Sequence, residues 1–348
     1  MSGALIAVLP MLLGVGIGFA LPLQTAINAQ LRAVLSSPFR ASLVSFIVGT
    51  AALWIILALN EGGIGLPDGF LQSEPWWIWL GGVFGVLFLT GNILMFPKLG
   101  GMQTVVMPIL GQIIASNAID AAGWFGVSRH PISVQRLSGI VLAFIGVALA
   151  VVIPDIRASR SRRMLNQSPD GAARSRWMWQ ILGVLLGMLG ASQTAINGRL
   201  GSELGSALHA SFISFLIGTL LLVLIVIIQE GFTHGRRADA RPKQGQAASE
   251  PAPSATAAFM NRLAVIGASP WWFWIGGLIG ATYVFGNAFL APVLGTGLTV
   301  IIVLFGQICG GLTVDQFGLL RASKRRVTGI QIIGAVILLA GIIAIRLF

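Results

Sequence analysis

The sequence predicts an all-α integral membrane protein whose ten transmembrane helices form two inverted-topology repeats of five helices each. Three observations predict this fold. Hydrophobic residues make up 55% of the 348 residues and charged residues only 9%, whereas charged residues make up about 25% of a soluble domain. Apolar runs long enough to cross a bilayer occur ten times. The two halves of the chain also carry the same motifs in the same order.

The apolar runs divide the chain into two units of five helices. The predicted first repeat covers 1–154, a basic cytoplasmic linker covers 155–176, and the second repeat covers 177–348. The predicted spans are 4–31, 37–59, 76–97, 102–122, 134–153, 177–200, 206–229, 270–291, 297–317 and 327–347.

The repeat is visible as motifs that return at a constant distance. Gln24-Thr25-Ala26-Ile27-Asn28 returns at Gln193–Asn197, an offset of 169 residues. Pro75-Trp76-Trp77 returns at Pro270–Trp272, an offset of 195 residues, and Gly111-Gln112-Ile113 returns at the same offset. The larger offset predicts an insertion at about 232–262, which is rich in Ala, Pro, Gln and Arg and is predicted to be disordered.

The number of helices per repeat determines how the two repeats are related. Five is odd, so the second repeat must enter the membrane from the side opposite to the first. This arrangement is an inverted repeat about an axis in the membrane plane. The arrangement depends on the helix count and on the repeated motifs.

The basic residues predict the orientation of the helices. Four of the 22 lysines and arginines, Arg129, Arg136, Arg199 and Arg346, belong to one side of the predicted membrane, and the remaining 18 belong to the other. The positive-inside rule places the richer side in the cytoplasm and both termini outside. The Trp-rich openings at 76–79 and 271–274 then lie in the outer and inner interfacial belts.

Composition argues against several other classes of protein. The net charge of +11 comes from short loops between apolar runs, so we expect no nucleic-acid partner. The three histidines lie far apart, no catalytic residue is predicted, and we expect neither an enzyme nor a metal or other cofactor. The single cysteine, Cys309, excludes a disulfide within the chain.

Repeated polar residues inside apolar spans are the candidate site residues, because such side chains are costly in lipid unless they pair or line water. Gln112 and Gln307 fall near the middle of the fourth and ninth spans, each after a glycine. They are predicted to bind substrate in a cavity between the repeats. The alternative is an amide hydrogen bond between helices. Asn92 and Asn287 are further substrate-binding candidates of the same kind.

A second group of repeated polar residues lies toward the helix ends. Gln24 and Asn28 share one helix face, as do Gln193 and Asn197. The two pairs are predicted to form polar faces of two gates at opposite ends of the membrane, with hydration of the helix ends as the alternative. Asp120 and Asp315 are candidate ion-coupling residues, or else carboxylates solvated at the ends of their helices. No acidic residue occupies the predicted midplane, which favours a neutral or amphipathic substrate.

The motifs QTAIN in the first helix, SF-x-x-GT in the second, PWW and GN in the third, and GQI in the fourth occur once in each half. With these motifs the chain resembles the YdcZ family of the drug/metabolite transporter superfamily, as a fused two-copy member. The resemblance implies a ten-helix inverted-repeat exporter fold with a central cavity and transport that is not driven by ATP. It implies no particular substrate, and Pro108, which is replaced by Val303 in the second half, indicates that the cavity is not strictly two-fold.

The sequence therefore predicts a multi-pass protein of the bacterial inner membrane that exports a small metabolite or drug-like solute by alternating access. Its expected partners are this solute and the lipid bilayer. A monomer is sufficient, because both repeats are fused. A passive channel and a membrane scaffold that transports nothing are the alternatives.

Overall fold

A computed structural model describes residues 3–61, 65–127, 129, 133–154, 156, 170–239, 270–294 and 296–347. These residues contain ten long helices and no strand. We number them α1 (Gly3–Leu35), α2 (Pro38–Glu61), α3 (Leu80–Leu99), α4 (Gly101–Ala122), α5 (Val134–Val147), α6 (Asp170–Leu204), α7 (Ala207–Asp239), α8 (Ile275–Leu294), α9 (Thr296–Phe317) and α10 (Gly329–Leu347).

Most of these helices are apolar enough to cross a membrane. Eight of them (α1 to α7 and α9) contain a segment with the length and composition of a membrane span. The apolar part of α10, Gly329–Ala344, is shorter, and α8 is not among the eight. The prediction of an all-helical membrane protein is therefore confirmed, and ten spans stay a prediction.

The helix ends follow from local sequence and are repeated in the two halves. Gly123 ends α4 and Gly318 ends α9, both with left-handed backbone (φ 70° and 63°) that glycine adopts without strain. In the turns that follow, Phe125 and Leu320 also have positive φ, 58° and 53°. These two residues are separated by the 195-residue offset of the repeat. The internal similarity therefore extends to backbone conformation.

The first helix of each half packs along the fourth helix of the other half, in the same direction. In the α1–α9 pair, Gly14 faces Ile302 and Gly310 faces Phe19, so the numbering rises together along both helices. The α4–α6 pair is also parallel, because Gln180 contacts Gln103 near the start of both helices and Gly190 faces Gln112 further along both. Glycine permits both close approaches because a Cβ at Gly111 or Gly310 would run into a backbone carbonyl oxygen.

The fifth helices of the two halves pack against each other in opposite directions. Gly341 of α10 lies beside Gly139 and Ala143 of α5, whereas Gly334 lies beside Gly146 and Ala150. The numbering therefore rises along α5 as it falls along α10. Since α5 and α10 occupy equivalent places in the two repeats, equivalent helices run antiparallel here.

The second helices of the two halves, α2 and α7, show the same relation. Arg40, near the start of α2, forms an ion pair of 3.3 Å with Glu230, near the end of the apolar part of α7. Between these ends the helices cross at Phe46 and Phe215, whose ring centroids lie 4.9 Å apart. The start of one helix thus meets the end of its repeat counterpart.

Two predicted boundaries differ from the observed helices. The sixth helix begins at Asp170 rather than 177, and the rest of the predicted linker at 155–176 lies almost entirely outside the described residues. The seventh helix continues to Asp239, so the first eight residues of the insertion predicted at 232–262 are helical. The remainder of that insertion also lies outside the described residues.

Candidate functional site

The polar face of α1 is buried against two glycines of α8. A Cβ on Gly280 would lie 2.5 Å from Nε2 of Gln24, and a Cβ on Gly276 would lie 2.5 Å from Oδ1 of Asn28. The Asn28 side chain is fully buried and accepts a 2.7 Å hydrogen bond from Oγ of Ser45 on α2. The sequence prediction that Gln24 and Asn28 share one helix face agrees with these contacts.

The polar face of α6 makes the equivalent contacts with α3. A Cβ on Gly85 would lie 2.8 Å from Nε2 of Gln193, and Oδ1 of Asn197 lies directly against Gly81. The Asn197 amide donates a 3.2 Å hydrogen bond to Oγ of Ser214 on α7. Each contact on α6 is thus the repeat counterpart of a contact on α1, although Gln193 and Asn197 are less deeply buried than Gln24 and Asn28.

Both asparagine side chains keep one polar atom without a partner. Nδ2 of Asn28 and Oδ1 of Asn197 are buried, and neither makes a hydrogen bond in the described part of the chain. A buried amide group without a partner costs about 1–3 kcal/mol. The contacts between α1 and α8 and between α6 and α3 are therefore less favourable than fully hydrogen-bonded contacts would be. The helices of each pair are easier to separate as a result.

A pair of equivalent threonines lies where α2 and α7 cross. The hydroxyls of Thr50 and Thr219 lie 2.8 Å apart and share a hydrogen bond. The two residues are separated by the 169-residue offset of the repeat, as are Phe46 and Phe215 beside them. At this crossing, two residues of α2 thus contact their own repeat counterparts on α7.

Gln112 and Gln307 lie beside different helices, α6 and α8. Gln307 is buried on α9 and its Nε2 lies 3.4 Å from the hydroxyl of Tyr283 on α8. Gln112 lies on α4, where its Nε2 and the Phe88 ring flank Gly190 of α6. No hydrogen bond joins the two glutamines in the described structure. The prediction that both line one cavity stays a prediction.

Asn92 and Asn287 bond to their own helices. The Asn92 amide donates to the carbonyl oxygen of Phe88 at 2.9 Å, and the Asn287 amide donates to that of Tyr283 at 2.7 Å. Each bond spans one helical turn and occupies the amide nitrogen. The side-chain oxygen of each residue makes no hydrogen bond within the described residues and would be the atom offered to a substrate.

Asp315 joins the two halves at the N-terminus of α4. Its carboxylate accepts hydrogen bonds from the backbone N–H groups of Gly101 (2.6 Å) and Met102 (2.9 Å), which have no partner within their own helix. Arg325 lies beside it and donates to the carbonyl oxygen of Leu99 at 2.6 Å. Asp315 therefore caps α4, and its predicted role in ion coupling stays a prediction.

Asp120, the repeat counterpart of Asp315, is half-buried. One of its carboxylate oxygens lies 4.0 Å from a guanidinium nitrogen of Arg136, in the first turn of α5. Its predicted role in ion coupling stays a prediction. In the described part of the chain, no group of three or more His, Cys, Asp or Glu could hold a metal ion.

A family model described as "Putative inner membrane exporter, YdcZ" matches residues 9–149, 178–244 and 252–344. The chain belongs to the YdcZ family. The resemblance inferred from the repeated motifs is thus confirmed. The chain is a multi-pass protein of the inner membrane, in keeping with its apolar helices.

Other comparisons add little to the family assignment. A crystal structure of a protein with 16% sequence identity covers 95% of this chain and 96% of its own, with a TM-score of 0.45. This likeness is too low to fix the fold of this chain. No curated protein matches the chain significantly.

Two features of this YdcZ-family chain were not identified from its sequence. Tyr283 is not among the predicted site residues because those are identical in the two repeats, whereas the counterpart of Tyr283 is Phe88. The one feature of the sequence that distinguishes Tyr283 is that it is the only tyrosine in the chain. Thr50 and Thr219 were seen as part of a repeated motif, but nothing in that motif indicated that they contact each other.

Proposed function

We propose that this chain is a secondary exporter that moves a small neutral or amphipathic solute by alternating access between two inverted units of five helices. The observation that carries the proposal is the pair of equivalent polar contacts at α1–α8 and α6–α3. We call Gln24, Asn28, Gly276 and Gly280 the inner gate, and Gln193, Asn197, Gly81 and Gly85 the outer gate.

The directions of the packed helices support ten spans that alternate across the membrane. In such an arrangement all odd-numbered helices run one way and all even-numbered helices run the other. The parallel pairs, α1–α9 and α4–α6, each join two odd or two even helices. The antiparallel pairs, α1–α8, α3–α6, α2–α7 and α5–α10, each join an odd and an even helix.

The distribution of charge supports gates at opposite ends. The inner gate lies near the end of α1, one turn before Arg32, and near the start of α8. The positive-inside rule places these ends at the cytoplasm. The outer gate lies near the end of α6 and the start of α3, which the same rule places outside. A carrier needs two barriers of this kind, one on each side of its substrate.

The chemistry of the gates favours reversible opening. In each gate, amide side chains pack against glycines. The described residues make two hydrogen bonds there, from Ser45 to Asn28 and from Asn197 to Ser214, and each bond joins two residues of the same half. Because no described hydrogen bond crosses from α1 to α8 or from α6 to α3 at the gates, opening breaks none. The substrate would lie between the gates, within reach of Gln112, Gln307, Asn92 and Asn287.

Distances between spin labels test alternating access without a known substrate. Ala33 and Trp271 are exposed near the inner gate, and their repeat counterparts Ser202 and Trp76 are exposed near the outer gate. Each pair is changed to cysteine in a Cys309→Ser chain, labelled, reconstituted in lipid, and measured by double electron–electron resonance. The two pairs are matched controls for each other because the repeat relates them.

Substitutions of the gate glycines should shift the equilibrium between the conformation open to the inside and the conformation open to the outside. Gly280→Leu fills the space of Gln24 and should lengthen the Ala33–Trp271 distance while the Ser202–Trp76 distance stays short. Gly85→Leu should produce the opposite result. A passive channel would show both distances long in one variant. A scaffold would show a single distance for each pair in every variant, and either result would refute the proposal.

A further inference from the structure

The surroundings of Gln112 and Gln307 differ at one of the residues beside them. Gln307 lies beside Tyr283 of α8, whereas Gln112 and Phe88 of α3, the repeat counterpart of Tyr283, flank Gly190. The remaining side chains of the site are repeated, since Gln307 corresponds to Gln112 and Gln24 corresponds to Gln193. The hydroxyl of Tyr283 is therefore a polar group that Phe88 cannot supply at the equivalent position.

Three polar side chains, Tyr283, Gln307 and Gln24, come from three helices that pack together, α8, α9 and α1. We call the region where these helices meet the α1–α8–α9 cleft. The Tyr283 hydroxyl lies 3.4 Å from Nε2 of Gln307. Tyr283 is three residues after Gly280, which contacts Gln24, so Tyr283 and the Gln24 contact lie on one face of α8. The backbone of Gln307 in turn lies against Gly18 of α1.

The hydrogen-bonding capacity of these side chains is largely unused. The Tyr283–Gln307 contact is at the long limit of a hydrogen bond. Gln24 is only 4% exposed and makes no hydrogen bond with any described residue. Buried amides in proteins are normally paired. The cleft thus offers the hydroxyl proton of Tyr283, the free carbonyl oxygens of two glutamines, and the amide hydrogens of Gln24.

The same cleft contains no charged side chain on the helices that form it. None occurs in α8, in α1 before Arg32, or in α9 before Asp315, whose carboxylate is engaged by the start of α4. A charged solute would have no counter-ion at this depth and would lose its hydration. A neutral group with a donor and an acceptor side by side would instead satisfy the free groups.

We infer that substrate is selected in the α1–α8–α9 cleft, where Tyr283, Gln307 and Gln24 bind the neutral primary-amide group of a solute. This inference rests on the proposed function, because it assigns the recognition step of that transport. The amide carbonyl accepts from the Tyr283 hydroxyl, and the amide hydrogens bond to the glutamine oxygens. Phe88 prevents the equivalent cleft from supplying the same donor.

The single tyrosine makes the inference measurable at the residue itself. Chain prepared with 3-fluorotyrosine carries one fluorine signal, from residue 283. We would titrate it in lipid nanodiscs with benzamide, and with the charged molecules of the same shape, benzoate and benzamidinium. Benzamide is expected to shift the fluorine signal and saturate, whereas the two charged molecules leave the signal in place. No benzamide shift, or equal shifts with a charged molecule, overturns the substrate class.

A pair of substitutions tests the residue. Tyr283→Phe removes one hydrogen bond, and the benzamide affinity measured by thermal stabilisation should fall about fivefold to tenfold. The matched variant Phe88→Tyr should keep the wild-type affinity within about twofold, because it adds its hydroxyl to the other cleft. Unchanged affinity in Tyr283→Phe, or an equal loss in both variants, overturns the role of Tyr283.

The two proposals fail separately. If benzamide shifts the Tyr283 signal while the gate distances never alternate, the binding site stands and the transport mechanism is wrong. If the gates alternate but benzamide has no effect at Tyr283, the mechanism stands and the assigned selectivity is wrong.

Discussion

Replacing Gly187 by alanine should destabilise the chain, because a Cβ there would run into backbone atoms. Gly187 of α6 packs directly against the carbonyl group of Pro108 on α4. Its repeat counterpart, Gly18 of α1, packs against the carbonyl oxygen of Val303 on α9 in the same way. A carbonyl oxygen on a helix cannot move aside as the tip of a flexible side chain can. Both helices would have to separate.

The size of the effect can be estimated from the two opposing contributions. Alanine is a better helix former than glycine by up to about 1 kcal/mol, which favours the variant. Forcing extra volume into a packed site costs about 1–3 kcal/mol and sometimes more. Because the contact is with backbone, we expect Gly187→Ala and Gly18→Ala each to lower the free energy of unfolding by roughly 1–3 kcal/mol.

Two other glycines provide matched controls. A Cβ on Gly198 of α6 or on Gly16 of α1 meets no described atom within 4 Å. The same substitution on the same two helices should therefore be neutral or stabilising by up to about 1 kcal/mol. The assay is unfolding by sodium dodecyl sulfate in mixed micelles, followed by tryptophan fluorescence. Equal midpoints for Gly187→Ala and Gly198→Ala would refute the packing described for α4 and α6.

Two further substitutions test contacts between the halves by the same unfolding measurement. Asp315→Ala should lower the free energy of unfolding by about 0.5–2 kcal/mol, because the first N–H groups of α4 lose their cap. Asp315→Asn should lower it less, since asparagine also caps helices. Equal losses in the two variants would contradict the capping role. For the Thr50–Thr219 hydrogen bond, a double-mutant cycle with Thr50→Val and Thr219→Val should give a coupling energy of about 0.6 kcal/mol. A coupling of zero would show that the two hydroxyls do not interact.

The architecture was predictable where it depends on long apolar runs. The described residues are helical wherever the sequence has a long apolar run, because a segment that crosses lipid must satisfy its backbone hydrogen bonds internally as a helix. Eight of these helices have the length and composition of a membrane span. Boundaries were less predictable. The polar start of α6 and the polar end of α7 are helical beyond the apolar runs, because hydropathy predicts contact with lipid and not helix formation.

The site was predictable only in part. Spacing placed Gln24 and Asn28 on one helix face, but the glycines that receive them lie about 250 residues away in sequence, and periodicity contains no information about such partners. For the same reason the sequence could not show that Gln307 lies beside Tyr283, or that Asp315 caps a helix of the other half. Tyr283 corresponds to Phe88 in the other repeat, so the repeated motifs do not include it.

The inverted relation of the two halves is most directly tested by the sidedness of equivalent residues. Ala33 and Ser202 occupy the same position in the two repeats, and both are exposed. Each is changed to cysteine in a Cys309→Ser chain and treated with a membrane-impermeant maleimide in right-side-out and inside-out vesicles. We predict that Ala33→Cys reacts only from the cytoplasmic side and Ser202→Cys only from the periplasmic side. Reaction of both from the same side would contradict the inverted repeat and the transport mechanism built on it.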